Sequence, residues 1–148
     1  MPTQLIESSD ILSRRILAID DEEANVLLLR NLLQREGYTD VHFLTDSRKA
    51  LQSYIDLQPD LVLLDLMMPE VDGFQLLEAF SRHDLADEFR PVLVLTADTT
   101  IQARRKALAL GAKDFVAKPF DVIEVGLRIS NLLETRLLYE RLRETGKG

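Results

Sequence analysis

The run Leu61-Val62-Leu63-Leu64, ended by Asp65, constrains the fold more than any other feature of the chain. Four apolar residues without polar alternation fit a strand buried on both faces, as in a parallel sheet covered by helices. A carboxylate just past the C-terminal end of such a strand lies where open α/β sheets place their ligands. Three further runs end in the same kind of chemistry. Ile16-Leu17-Ala18-Ile19 stops at Asp20-Asp21, Pro91-Val92-Leu93-Val94-Leu95 at Thr96, and Asp114-Phe115-Val116-Ala117 at Lys118-Pro119. In a parallel sheet these ends share one edge and gather three carboxylates, a hydroxyl and an ammonium. Such a set suits holding a divalent cation and moving a phosphoryl group.

Between the strands lie amphipathic helices, the alternation of a doubly wound parallel sheet. The spacing of Val26, Leu29, Leu32 and Leu33 predicts a helix from Ala24 to about Glu36, stopped by Gly37. Val41-His42-Phe43-Leu44 reads as a short strand. Asp46 or Ser47 caps a helix to Leu57, Gly73 opens another to about Arg82, and Thr99 or Thr100 starts one that Gly111 closes. The last helix begins near Asp121 and has no breaker except Gly126 up to Arg143, about 30 Å of helix. Covering the sheet needs it only to about Leu133. The domain division expected is therefore a polar leader over 1–13, the α/β domain over 14–133, and over 134–148 an extension that projects toward a partner or output domain. Strict heptads fail along that extension, because counting back from Leu142 and Leu138 lands on Thr135 and Asn131.

The ordered set Asp20-Asp21, Asp65 with Met68-Pro69 and Asp72-Gly73, Thr96-Ala97 and Lys118-Pro119-Phe120 resembles the receiver (CheY-like) domain of two-component response regulators, over roughly residues 14 to 133. The resemblance implies a flavodoxin-like sheet of order 2-1-3-4-5. It implies that Asp65 is the phosphoacceptor, that Thr96 and Lys118 contact the phosphoryl oxygens, and that the Lys118–Pro119 bond is cis. The metal ligands implied for Mg²⁺ (or Mn²⁺) are Asp20, acting through water, Asp21, Asp65 and the backbone carbonyl of Met67. The implied phosphoryl donor is a sensor histidine kinase. Thr96 and Phe115 are the implied switch pair, and Met67 and Asp98 the implied modulators of phosphate lifetime. The output face would be the helix after Thr100, the strand carrying Phe115 and the last helix. An own or separate output domain and a homodimer are the further partners implied.

Each of these residues also has a plainer use. Asp20-Asp21 suits a helix N-terminus on macrodipole grounds alone, Thr96 a helix cap, Phe115 a core position, and Arg104-Arg105-Lys106 a solvated face. His42 and His83 match no metal or relay spacing. The net charge of −7 argues against a nucleic-acid surface. The absence of Cys excludes disulfides and thiolate sites. No apolar stretch approaches the roughly 20 residues of a membrane span, and the N-terminus lacks a signal-peptide pattern, so a cytoplasmic protein is expected. Another class also uses an aspartyl phosphate, the haloacid-dehalogenase phosphatases, but these carry a second acid two residues after the nucleophile, where this chain has Met67. A third reading is a stand-alone docking module. The tail around Asn131–Leu138 resembles receivers placed before cyclic-di-nucleotide enzymes. No turnover of an external substrate is expected.

Overall fold

A computed structural model describes residues 7–84 and 88–146. Five strands form one sheet: β1 (Arg15–Ile19), β2 (Asp40–Leu44), β3 (Leu61–Leu64), β4 (Val92–Thr96) and β5 (Asp114–Ala117). All pairings are parallel and the order is β2-β1-β3-β4-β5, the order expected from the resemblance. The helices are α1 (Ser8–Leu12), α2 (Glu23–Glu36), α3 (Ala50–Leu57), α4 (Gly73–His83), α5 (Ile101–Ala109) and α6 (Val122–Gly146), with a 3₁₀ turn at Ser47–Lys49 before α3.

The period of two in a strand divides the core into two layers. Leu17, Ile19, Val62, Leu64, Val92 and Val94 face α3, α4 and α5, packing with Tyr54, Leu77, Phe80 and Ala107. Their neighbours Ile16, Ala18, Leu61, Leu63, Leu93 and Leu95 face α2 and α6, packing with Leu29, Leu32, Leu33, Val125, Ile129 and Leu133. Because β3 is covered on both sides, all four of its residues are buried, which is why its sequence shows no alternation.

Several ends follow local chemistry. Gly37 closes α2 with φ +95°, a left-handed conformation that favours glycine. Asp72 and Gln75 form a reciprocal capping box at the start of α4. Thr100 caps α5 by accepting from Ala103 N at 3.2 Å. The leader contains α1, a single short helical turn. One feature departs from the sequence reading. Residues 134–145 do not project freely: Arg136 and Leu137 are buried. Arg136 donates to Asp60 Oδ1 at 3.0 Å and to the Phe89 carbonyl at 2.8 Å, and Tyr139 stacks on Phe89. Glu140 pairs with Arg14 at 3.1 Å, so α6 is strapped along the edge of the sheet opposite the C-terminal strand ends.

Candidate functional site

The C-terminal ends of β1, β3, β4 and β5 converge as the sequence implies. Asp65 directly follows β3, and its N–H donates to the Ile19 carbonyl at 3.0 Å, which ties it to the end of β1. Asp20, Asp21 and Asp65 each bring a carboxylate oxygen within 4.8 Å of the others. Asp20 and Asp65 are buried, and Asp21 is half-buried. Lys118 follows β5 and reaches across the sheet edge to donate to Asp20 Oδ2 at 2.7 Å and Asp65 Oδ2 at 3.2 Å. Its peptide bond to Pro119 is cis. Thr96 ends β4 fully buried; its carbonyl accepts from Lys118 N at 2.8 Å, and its hydroxyl oxygen accepts from Asp98 N at 3.3 Å.

Electrostatics make this an unfinished cluster. Three acids face one lysine. Burial pushes the Asp65 carboxyl above the ordinary range; the Met67 N–H and Lys118 pull it down, while Asp20 adds to the rise. For Lys118, burial opposes its charge, but Asp20 and Asp65 outweigh that and raise its pKa. The other oxygens are committed: Asp20 Oδ1 accepts from Glu22 N at 2.9 Å, and Asp65 Oδ1 from Met67 N at 3.2 Å. Asp21 Oδ1 is buried without a hydrogen-bond partner. An orphaned buried carboxylate oxygen beside two further carboxylates is the donor set of a hard divalent cation, so these residues fit one.

The loop from Asp65 to α4 is held tightly. A Cβ on Gly73 would lie 2.5 Å from the Asp65 carbonyl oxygen and 2.6 Å from Leu66 Cα, so only glycine lets α4 start this close to the site. Glu70 sits at φ +73°. The buried Ser47 pins the loop from below, its hydroxyl donating to the Pro69 carbonyl at 2.6 Å and accepting from Val71 N at 3.2 Å. Sequence reasoning offered Ser47 only as a helix cap. Its partners lie more than twenty residues away, and no local pattern signals them.

The remaining candidates occupy distinct settings. The Met67 side chain is 60 % exposed beside the cluster, whereas that of Met68 is buried. The Asp98 carboxylate caps the approach to α5, accepting from Thr100 N and Thr100 Oγ1 at 3.1 and 2.8 Å, and these bonds lower its pKa. Phe115 belongs to the core layer under α5, with the Arg104 guanidinium 5.8 Å from its ring centre. Arg104, Arg105 and Lys106 are exposed. His42 bonds to Asp40 at 2.7 Å and His83 is exposed at the end of α4; neither joins the cluster.

Comparison with known proteins agrees with this arrangement. The response regulator receiver domain family matches residues 16–130. RpaA of Synechocystis, a DNA-binding dual master transcriptional regulator, is 42 % identical over 119 residues, covering 80 % of this chain and 48 % of that protein. The response regulator PleD of Caulobacter vibrioides is 37 % identical over 133 residues, 90 % of this chain and 29 % of that protein. The chain thus spans half or less of these relatives. Among solved structures, Vibrio cholerae chemotaxis protein CheY4 superposes with a TM-score of 0.74 at 27 % identity, covering 81 % of this chain and 98 % of that one. The CheX–CheY complex with BeF3 and Mg²⁺ from Borrelia burgdorferi gives 0.76 at 26 %, covering 86 % and 94 %.

Proposed function

The chain belongs to the response regulator receiver domain family, and from that premise we propose that Asp65 accepts a phosphoryl group from a sensor histidine kinase. The observation that carries the assignment is the position of Asp65: buried at a strand end, within 4.8 Å of two further carboxylates and 3.2 Å from Lys118. A carboxylate oxygen of Asp65 attacks phosphorus, a P–O bond forms, the P–N bond to the donor imidazole breaks, and the imidazole leaves. Asp20, Asp21 and Asp65 with the Met67 carbonyl would hold Mg²⁺ (or Mn²⁺), which when bound neutralises charge on the phosphoryl oxygens.

Lys118 supplies the protein's own positive charge. It now bridges Asp20 and Asp65, and on phosphorylation it exchanges the Asp65 oxygen for a phosphoryl oxygen. Thr96 Oγ1 already accepts from Asp98 N, which leaves its hydroxyl proton for the phosphoryl group. That new bond draws the start of the β4–α5 loop toward Asp65 and alters the packing of Phe115 beneath α5. Phe115 is already turned into the core, and lacking a hydroxyl it offers no polar group to the output face. Met67 shields the acyl phosphate from water, and Asp98 sets how readily the loop moves. The reaction is one phosphorylation and its reversal by hydrolysis, with no external substrate turned over.

Residues 14–133 act as the receiver, 1–13 as a leader, and 134–148 as the connection to a partner or output domain. Among the described residues no helix is long and apolar enough to cross a membrane. Membership of the receiver family supports a place in the cytoplasm. Intact-mass measurement after acetyl phosphate and Mg²⁺ tests the assignment. Wild type is expected to gain about 80 Da, one phosphoryl group on a carboxylate, and Asp65→Asn nothing. Equal gain by Asp65→Asn would overturn it.

A further inference from the structure

The loop that follows Asp65 leaves one sulfur outside. Leu66 and Met68 both fill the core layer beneath α3 and α4, and the intervening Met67 is turned outward beside the carboxylates. That alternation is fixed from both sides. The Leu66 carbonyl accepts from Gly73 N at 3.0 Å, and the Pro69 carbonyl accepts from the Ser47 hydroxyl at 2.6 Å. The Met67 N–H itself donates to Asp65 Oδ1 at 3.2 Å, so this side chain springs from the residue whose amide touches the Asp65 carboxylate. Met67 is 60 % exposed, against 8 % for Met68. Of the three methionines in the chain Met1 lies outside the described residues, and there is no cysteine. Met67 is therefore the one exposed sulfur among the described residues, and it stands at the rim of the site.

A thioether open to water is oxidised more readily than one packed in a core, because the oxidant must reach the sulfur. We propose that Met67 is a redox-modification site: a hydroperoxide converts its thioether to the sulfoxide, and the sulfoxide shortens the life of the phosphoryl group on Asp65. With hydrogen peroxide, a sulfur lone pair attacks one peroxide oxygen, an S–O bond forms and the O–O bond breaks. The departing hydroxide takes the proton of the transferred oxygen and leaves as water. Sulfur loses two electrons and the peroxide gains them. The change at the site is one of polarity and not of charge. A thioether is a weak acceptor that keeps water off, whereas the sulfoxide is polar and its oxygen takes a hydrogen bond from water. Water held at the rim then lies next to the acyl phosphate that the thioether shields. Because no charge is added, the carboxylates keep their cation site and Asp65 keeps its capacity to accept a phosphoryl group. Methionine sulfoxide is reduced by dedicated reductases, so the modification is reversible. The inference deepens the assignment of Asp65 and rests on it.

The whole 148-residue chain serves for the test. After limited treatment with hydrogen peroxide and desalting, peptide mapping should find sulfoxide at Met67 well before Met68. Treated and untreated proteins are then phosphorylated with acetyl phosphate and Mg²⁺, freed of the donor and followed by intact mass. The oxidised protein should lose its phosphoryl mass about fivefold faster, the worth of roughly one hydrogen bond to the attacking water. Methionine sulfoxide reductase with a thiol should restore the slower rate. Met67→Leu keeps an apolar side chain of similar size without sulfur, and its rate should be the same before and after peroxide. An equal or slower loss from oxidised wild type would overturn the proposal. So would oxidation of Met68 in place of Met67, or a peroxide response that persists in Met67→Leu. No phosphoryl gain in untreated wild type is a separate failure, which would remove the assignment of Asp65 and this proposal with it.

Discussion

Replacing Asp21 with Asn should stabilise the metal-free protein and remove its response to Mg²⁺. Asp21 lies with Asp20 and Asp65 inside a 4.8 Å cluster. At an effective dielectric of 20 two such charges repel by about 3 kcal/mol, so Asp21 faces about 6 kcal/mol of gross repulsion. Lys118 bonds to Asp20 and Asp65, while the buried oxygen of Asp21 has no hydrogen-bond partner. Half-burial lets solvent and salt screen most of the repulsion, which leaves about 1–2 kcal/mol. For a chain of this length that corresponds to a rise in Tm of about 3–6 °C in EDTA. Wild type should gain about 1.4 kcal/mol when Mg²⁺ is present at ten times its Kd, and Asp21→Asn none. Differential scanning calorimetry of both proteins, with EDTA and with Mg²⁺, reads all four values. A lower Tm for the variant in EDTA would mean that Asp21 holds the fold together, and an undiminished Mg²⁺ response would mean that the cation binds elsewhere.

Ser47→Ala removes both bonds to the Pro69–Val71 turn and should cost about 1–3 kcal/mol. It should also weaken Mg²⁺ binding measured by calorimetric titration, with Ser47→Thr restoring affinity; unchanged affinity in Ser47→Ala would show that the turn holds itself. Arg136→Ala breaks a buried pair with Asp60, which keeps the Arg15 N–H at 2.9 Å, so a loss near the low end for such pairs, about 3 kcal/mol, is expected. Amide exchange over residues 134–141 should accelerate in that variant, and unchanged protection would mean that the strap does not depend on Arg136. Burial, with the nearby Glu36 charge, pushes the Tyr38 hydroxyl from 10.0 up to about 12. Above the unfolded value the unfolded chain loses this proton first, so stability should fall as pH rises from 10 toward 12. Denaturant titrations of wild type and Tyr38→Phe across that range check this, and identical slopes would exclude Tyr38.

The carboxylate-lined edge was legible because parallel strands buried on both faces leave unbroken apolar runs, and the residue ending each run is marked by contrast. Asp20, Asp65, Thr96 and Lys118 come together because the topology puts consecutive strand ends side by side, so knowing the strands was nearly enough to know the edge. What stayed hidden depends on distant partners. Arg136 looked like a solvated residue of a projecting helix, yet it is buried against Asp60 and Phe89, 76 and 47 residues away. Ser47 read as a cap, although its hydroxyl serves a loop 22 residues on.

The position of the phosphoryl group itself is the most direct test. Protein treated with acetyl phosphate and Mg²⁺ can be reduced with borohydride, which converts an aspartyl phosphate to homoserine, and the product mapped by peptide mass spectrometry. Conversion confined to Asp65, and lost in Asp21→Asn, is the expected result. Conversion at another carboxylate, or none in protein that has gained the phosphoryl mass, would contradict the account.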